Sequence, residues 1–146
     1  LDTWFAEHDV LPVFLSGLGR EKDDEAPALY GIATGDGADA LDRADIDQPK
    51  EPGLVSGPTG AMLAESLVRG RDAVGLVVES DPRFPDPEAA RVLIKHGIEP
   101  LTGVEVPVDD LVERAEQIRD AKDRLAKRMQ EATAESTQAR PIGMYQ

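Results

Sequence analysis

The chain has 146 residues, a net charge of −13 and no cysteine. That length suits one ordinary domain with a core of its own, and the lack of thiols excludes disulfides, thiolate metal sites and cysteine nucleophiles. The acidity argues against nucleic acid and anionic membrane surfaces as partners, and no apolar run approaches the roughly 20 residues of a membrane span.

Asp outnumbers Glu 16 to 13, and Arg outnumbers Lys 11 to 5. Dense carboxylates with few lysines suit a salt-rich cytosol, where screening relieves self-repulsion. A halophilic source and a cytoplasmic location are therefore expected. Aromatic residues make up only 4% of the chain, so the core must be built from Val, Leu, Ile and Ala. The sequence starts at Leu1 and enters an apolar run almost at once, which leads us to expect a missing N-terminal portion.

In chain order, Leu1 to His8, with Trp4 and Phe5, reads as the last turns of an amphipathic helix. Val10 to Leu18 (VLPVFLSGL) is rich in β-formers and reads as a buried strand with Pro12 near its start. Gly19 to Glu25 is charged and turn-like. Pro27 to Thr34 is a second strand, followed by a Gly35-Asp36-Gly37 turn and a short helix or turn over Ala38 to Ala44. Asp45 to Pro52, with two prolines, is a surface connection. Ala61 to Arg69 places Met62, Leu63, Leu67 and Val68 at helical spacing, and Gly70 ends that helix as its C′ residue. Asp72 to Glu79 (DAVGLVVE) is a near-continuous apolar run, which implies burial on both faces and hence a parallel sheet covered by helices. Pro87 sits as the first residue of the next helix with Asp86 as its N-cap. That helix is expected to run from Glu88 to His96 and close at Gly97. Asp109 or Asp110 caps a last helix that runs to about Glu135. The order of elements is α/β.

Four features could carry function. The turn Gly53-Leu-Val-Ser-Gly-Pro-Thr-Gly60 leads into a helix, whose free amides attract anions, so Ser56, Gly57, Thr59 and Gly60 form a candidate ligand turn. It lacks the lysine of a P-loop and the spacing of GxGxxG, and its glycines equally serve a tight strand-to-helix turn. His8 and His96 have no partner at metal-ligand spacing, and His96 suits a helix C-terminus. No serine lies in a GxSxG elbow, so no catalytic constellation emerges and neither cofactor nor metal is expected. In the last helix, Leu111, Ala115, Ile118, Leu125 and Met129 follow a 3.5-residue period, interrupted by Lys122. This seam packs either on its own domain or on the same helix of another subunit. Beyond it, Pro141 and Gly143 stop the helix, and Met144-Tyr145-Gln146 ends a tether built like a plug for another protein's pocket.

Gly53 to Leu67 with its glycine-rich turn and helix, Arg69 to Ser80 with its buried strand ending in an acidic residue, and Pro85 to Leu93 with its Pro-Asp-Pro loop and short helix together resemble the second half of the PAC2 family of proteasome assembly chaperones and their archaeal relatives. The resemblance covers about residues 10–106. It implies an α/β fold similar to the nucleoside phosphorylases, here as a partial parallel-sheet domain, and a binding protein rather than an enzyme. It also implies that Met144-Tyr145-Gln146 matches the hydrophobic-Tyr-X (HbYX) tail that enters pockets between α-subunits of the 20S proteasome ring. There the Gln146 carboxylate would pair with a pocket cation. One such tail buries little and costs entropy to order, so several tails presented together are expected, and with them a homo-oligomer. The expected layout is a PAC2-type portion over 1–106, a long helix over 107–135 and a flexible docking tail over 136–146. The competing expectation is a small-molecule or nucleotide-binding, phosphorylase-like domain that uses the turn at 53–60.

Overall fold

The computed structural model describes residues 4, 8, 10–20 and 26–138, with the side chains of 112, 115, 116, 119, 122 and 132–138 left aside. Three strands, β1 (Val13–Gly19), β2 (Leu29–Thr34) and β3 (Ala73–Ser80), form one sheet in the order β1-β3-β2. Helix α1 (Gly37–Arg43) follows β2, and α2 (Gly57–Val68) precedes β3. After β3 come α3 (Pro87–Val92), a π-helical turn (Leu93–Ile98), α4 (Glu99–Thr102) and the long α5 (Asp109–Gln138).

The central strand β3 owes its place to its composition. Val74, Leu76 and Val78 point to one face, where they meet Leu41, Ala44 and Ile46 from α1 and its exit, and Ala89, Val92 and Leu93 from α3 and the π turn. Ala73, Gly75 and Val77 point to the other face. There α2 comes so close that a Cβ on Gly75 would stand 2.9 Å from Leu63 Cδ1. Burial on both faces thus holds as read from the apolar run.

The parallel sheet does not hold throughout. β1 runs parallel to β3, pairing Val13 with Val74, but β2 runs antiparallel, pairing Leu29 with Val78. An apolar run reports that both faces are covered. It carries no information on the direction of the neighbouring strand.

Two helix ends follow the same rule with different residues. α2 ends in a full Schellman motif: Gly70, at φ +62°, donates from its N–H to the Leu67 carbonyl, and the Arg71 N–H donates to Ser66. α1 ends likewise, with Asp45 N–H on Asp42 and Ile46 N–H on Leu41, but the left-handed residue is Asp45 at φ +54°.

The helix expected to close at Gly97 does not close there. Gly97 is buried within the π turn, where a Cβ would lie 2.9 Å from Leu76 Cδ1 and 3.3 Å from Leu29 Cδ2. The glycine therefore serves close approach to the sheet, and the helical path continues to Gly103, at φ +71°. Pro100 has no N–H to give the carbonyl four residues back, and the π turn ends two residues before it. His96 accordingly lies exposed in mid-path rather than at a helix end. The helix expected at the start of the chain falls mostly outside the described residues. Of these, His8 donates through Nδ1 to the Trp4 carbonyl at 2.8 Å, with the two rings stacked at 4.4 Å.

Candidate docking site

The site is built around the launch of α5. Asp86 caps α3 as expected, its Oδ1 accepting from the Ala89 N–H at 3.1 Å, and its Oδ2 accepts from the Asp81 N–H at 3.0 Å. The proline-set loop after β3 and the start of α3 are thereby one rigid piece. α3 in turn packs against α5.

A second fastening holds the connection into α5. Glu99 Oε1 accepts from Lys95 Nζ at 2.8 Å and from the Val106 N–H at 2.7 Å. These hydrogen bonds, that from Lys95 foremost, hold the Glu99 carboxyl below the usual carboxylate range against a smaller opposing effect of desolvation. Val108 is buried just beyond, and the Leu111 N–H donates to its carbonyl at 2.9 Å. The direction in which α5 leaves the body is thus set by one carboxylate and one buried valine. The sequence marked neither, because a Lys-Glu pair four apart resembles any other surface pair.

Along α5 the predicted seam divides. Leu111 and Ile118 are half-buried, whereas Leu125 is 49% and Met129 65% exposed. From Asp120 to Glu131 every described side chain is exposed. The side chain of Ala115 lies outside the described set. The first part of the seam therefore packs on its own domain. The remainder of the helix extends about 30 Å past Ile118, at roughly 1.5 Å per residue. Met144, Tyr145 and Gln146 lie outside the described residues.

The glycine-rich turn is drawn into the body. Thr59 Oγ1 donates to the Leu15 carbonyl of β1 at 3.4 Å, which ties α2 to the sheet. Gly60 lies against the Val55 carbonyl with no room for a Cβ. Ser56 is the N-cap yet makes no side-chain cap bond, and Gly57, at φ +69°, opens to free space. Pro58 removes one of the amides that an anion would need.

At the C-terminal end of β3, Glu79 joins three strands' worth of chain. Its Oε1 accepts from the Arg20 guanidinium at 2.6 Å and its Oε2 from the Ala28 N–H at 3.2 Å. The acidic residue at the end of β3 is thus a brace between the exit of β1 and the entry of β2. Among the described residues, no group of three or more His, Asp or Glu side chains is arranged to hold a metal ion, and no helix is long and apolar enough to cross a membrane.

Comparison with known proteins places this arrangement. Pyrococcus furiosus PbaA, an archaeal homologue of proteasome-assembly chaperone, superposes with a TM-score of 0.74 at 22% identity, over 93% of this chain and 57% of its own. Pyrococcus furiosus PbaB, an archaeal proteasome activator, gives 0.70 at 18% identity, over 85% and 54%. A PAC2 family protein from Streptomyces avermitilis gives 0.66 at 25% identity, over 86% and 54%. The chain thus spans little more than half the length of the structures it resembles. No curated protein sequence matches it. The sequence profile of the PAC2 family matches residues 2–126, from the Trp4 segment through β1, β3 and the Asp86-capped helix into α5, and the chain belongs to that family.

Proposed function

We propose that this chain is a chaperone-like or activator-like adaptor that docks on the α-ring of the 20S proteasome through Met144-Tyr145-Gln146, and that it catalyses no reaction of its own. The observation that carries the reading is the form of α5. A helix anchored at Val108 and Glu99 and half-buried only as far as Ile118 carries its last described residue, Gln138, well clear of the domain. Six to eight residues beyond it stand an apolar residue, Met144, then Tyr145 and Gln146. The similarity to an archaeal homologue of proteasome-assembly chaperone and to an archaeal proteasome activator supports the same partner.

The physical role of each tail residue follows from its chemistry. Met144 fills an apolar pocket with a flexible thioether chain. Tyr145 adds a rigid ring with a polar tip. The Gln146 carboxylate pairs with a cation in a partly desolvated cleft. A lone tail of this size binds weakly, so copies held together raise the effective concentration of the next tail.

The test is co-sedimentation of the chain with proteasome particles, intact and with residues 144–146 deleted. The intact chain should sediment with the particle and the deleted chain should remain in the supernatant, with unchanged far-UV circular dichroism. Equal sedimentation of the two would remove the tail from the account.

A further inference from the structure

We propose that Glu99 is a positioning residue for docking: by drawing the connection between α4 and α5 onto its own turn, it aims α5 and with it the end of the chain. The proposal rests on the docking reading above and adds a residue of the body to a function otherwise carried by residues 144–146.

The connection is residues 103–108, between Thr102 and Asp109. It contains Gly103, at φ +71°, and Pro107, and it belongs to no helix or strand. Its amides are instead taken up by the turn before it. Gly103 N–H donates to the Glu99 carbonyl at 2.8 Å, Val104 N–H to Thr102 Oγ1 at 3.2 Å and Val106 N–H to Glu99 Oε1 at 2.7 Å. Thr102 Oγ1 in turn donates to the Ile98 carbonyl at 2.8 Å. Glu99 thus holds the connection twice, by its carbonyl at the first residue and by its carboxylate at the fourth. Beyond that, Pro107 has no N–H to give, and Val108 is held by the burial of its side chain. Lys95, one turn before Glu99, places the carboxylate, with Nζ on the same Oε1 at 2.8 Å. The Glu99 side chain is only 18% exposed, so these charge-assisted bonds meet little competition from water.

The length of α5 makes the aim count. Leu111 and Ile118 are half-buried on the body, a footing of about 10 Å, whereas about 30 Å of helix extends past Ile118. At that length a change of about 10° at the base moves Gln138 by about 5 Å. So short a footing fixes the place of the helix better than its angle, and the Glu99 bond supplies a second point of hold. Copies held together reinforce one another only when each end reaches its own pocket, and misdirected ends forfeit the gain from linkage.

The chain has no cysteine, so two introduced thiols carry spin labels without background. Ala64 on α2, Gln130 on α5 and Asp39 on α1 are all exposed. In the full chain, diluted with unlabelled chain, Ala64→Cys with Gln130→Cys should give one narrow distance peak. Glu99→Ala should broaden it, and Glu99→Gln, which keeps an acceptor oxygen for Val106, should retain it. A second pair within the body, Asp39→Cys with Ala64→Cys, should give the same peak in all three proteins. Docking to 20S proteasome, measured with unlabelled proteins, should weaken about tenfold in Glu99→Ala and stay near the wild-type value in Glu99→Gln. An unchanged α2–α5 distance in Glu99→Ala, a body pair that broadens together with it, or docking equal to the wild type would each overturn the role of Glu99 while leaving the tail in place. Failure of the wild type itself to dock would overturn the docking reading and this proposal with it.

Discussion

Leu41 packs directly over Gly31 in the core, and the pair allows a quantitative test of the packing. Leu41 is fully buried, and a Cβ placed on Gly31 would lie 2.5 Å from Leu41 Cδ2, 2.7 Å from its Cδ1 and 3.0 Å from Ile46 Cγ2. Leu41→Ala removes a buried side chain and leaves a hole over a residue with no side chain to collapse into it, at a cost of about 2–5 kcal/mol. Gly31→Ala drives a methyl group into both Leu41 methyls and should cost about 1–3 kcal/mol by overpacking. In the double variant the new methyl occupies space that Leu41 has vacated, so the two losses should fall short of their sum by about 2 kcal/mol. Urea unfolding of the four proteins, followed by circular dichroism at constant m-value, measures this coupling. Additivity within about 0.5 kcal/mol would refute the packing described for this face of the sheet.

Three further predictions concern the capping, the launch of α5 and the surface charge. Asp45→Gly should stabilise the chain by about 1 kcal/mol, because Asp45 holds the left-handed position of a Schellman motif that glycine fills without a Cβ penalty; a loss of stability in urea would contradict that assignment. The hydrogen bonds to Glu99 favour its charged form, so its carboxyl titrates lower in the folded state than in the unfolded chain. Its contribution is therefore present above the ordinary carboxylate range and is lost as pH falls through the folded value. The stability difference between the wild type and Glu99→Gln should shrink in acid, and a difference that grows in acid would reverse the sign of the argument. With a net charge of −13, the melting temperature should rise with KCl concentration as screening relieves repulsion; a flat or falling curve would remove the halophilic reading.

The parts of the fold that the sequence exposed are those governed by local rules. Asp86 before Pro87, Gly70 after an apolar helix and the uninterrupted run of β3 each have one dominant physical meaning, and the structure uses each in that sense. Gly97 had two meanings, helix end or close approach, and only the position of Leu76 against it decides between them. The direction of β2 was invisible because the side-chain pattern of a strand is the same read along either direction. The seam of α5 was visible as a period, but where it leaves the domain depends on α3 and on the Glu99–Val106 bond, both set by tertiary structure. Thr59 and Gly60 could be read in the sequence either as ligand-binding or as packing residues, because a turn built for packing uses the same glycines and hydroxyls as one built for anions.

The central claim is that the end of the chain is the docking element. Its most direct test is the dissociation constant of the chain for immobilised 20S proteasome, measured for the wild type and for Tyr145→Ala. The account predicts a weakening of at least tenfold, equivalent to about 1.4 kcal/mol, with an unchanged urea midpoint. Equal affinity of the two proteins would contradict it.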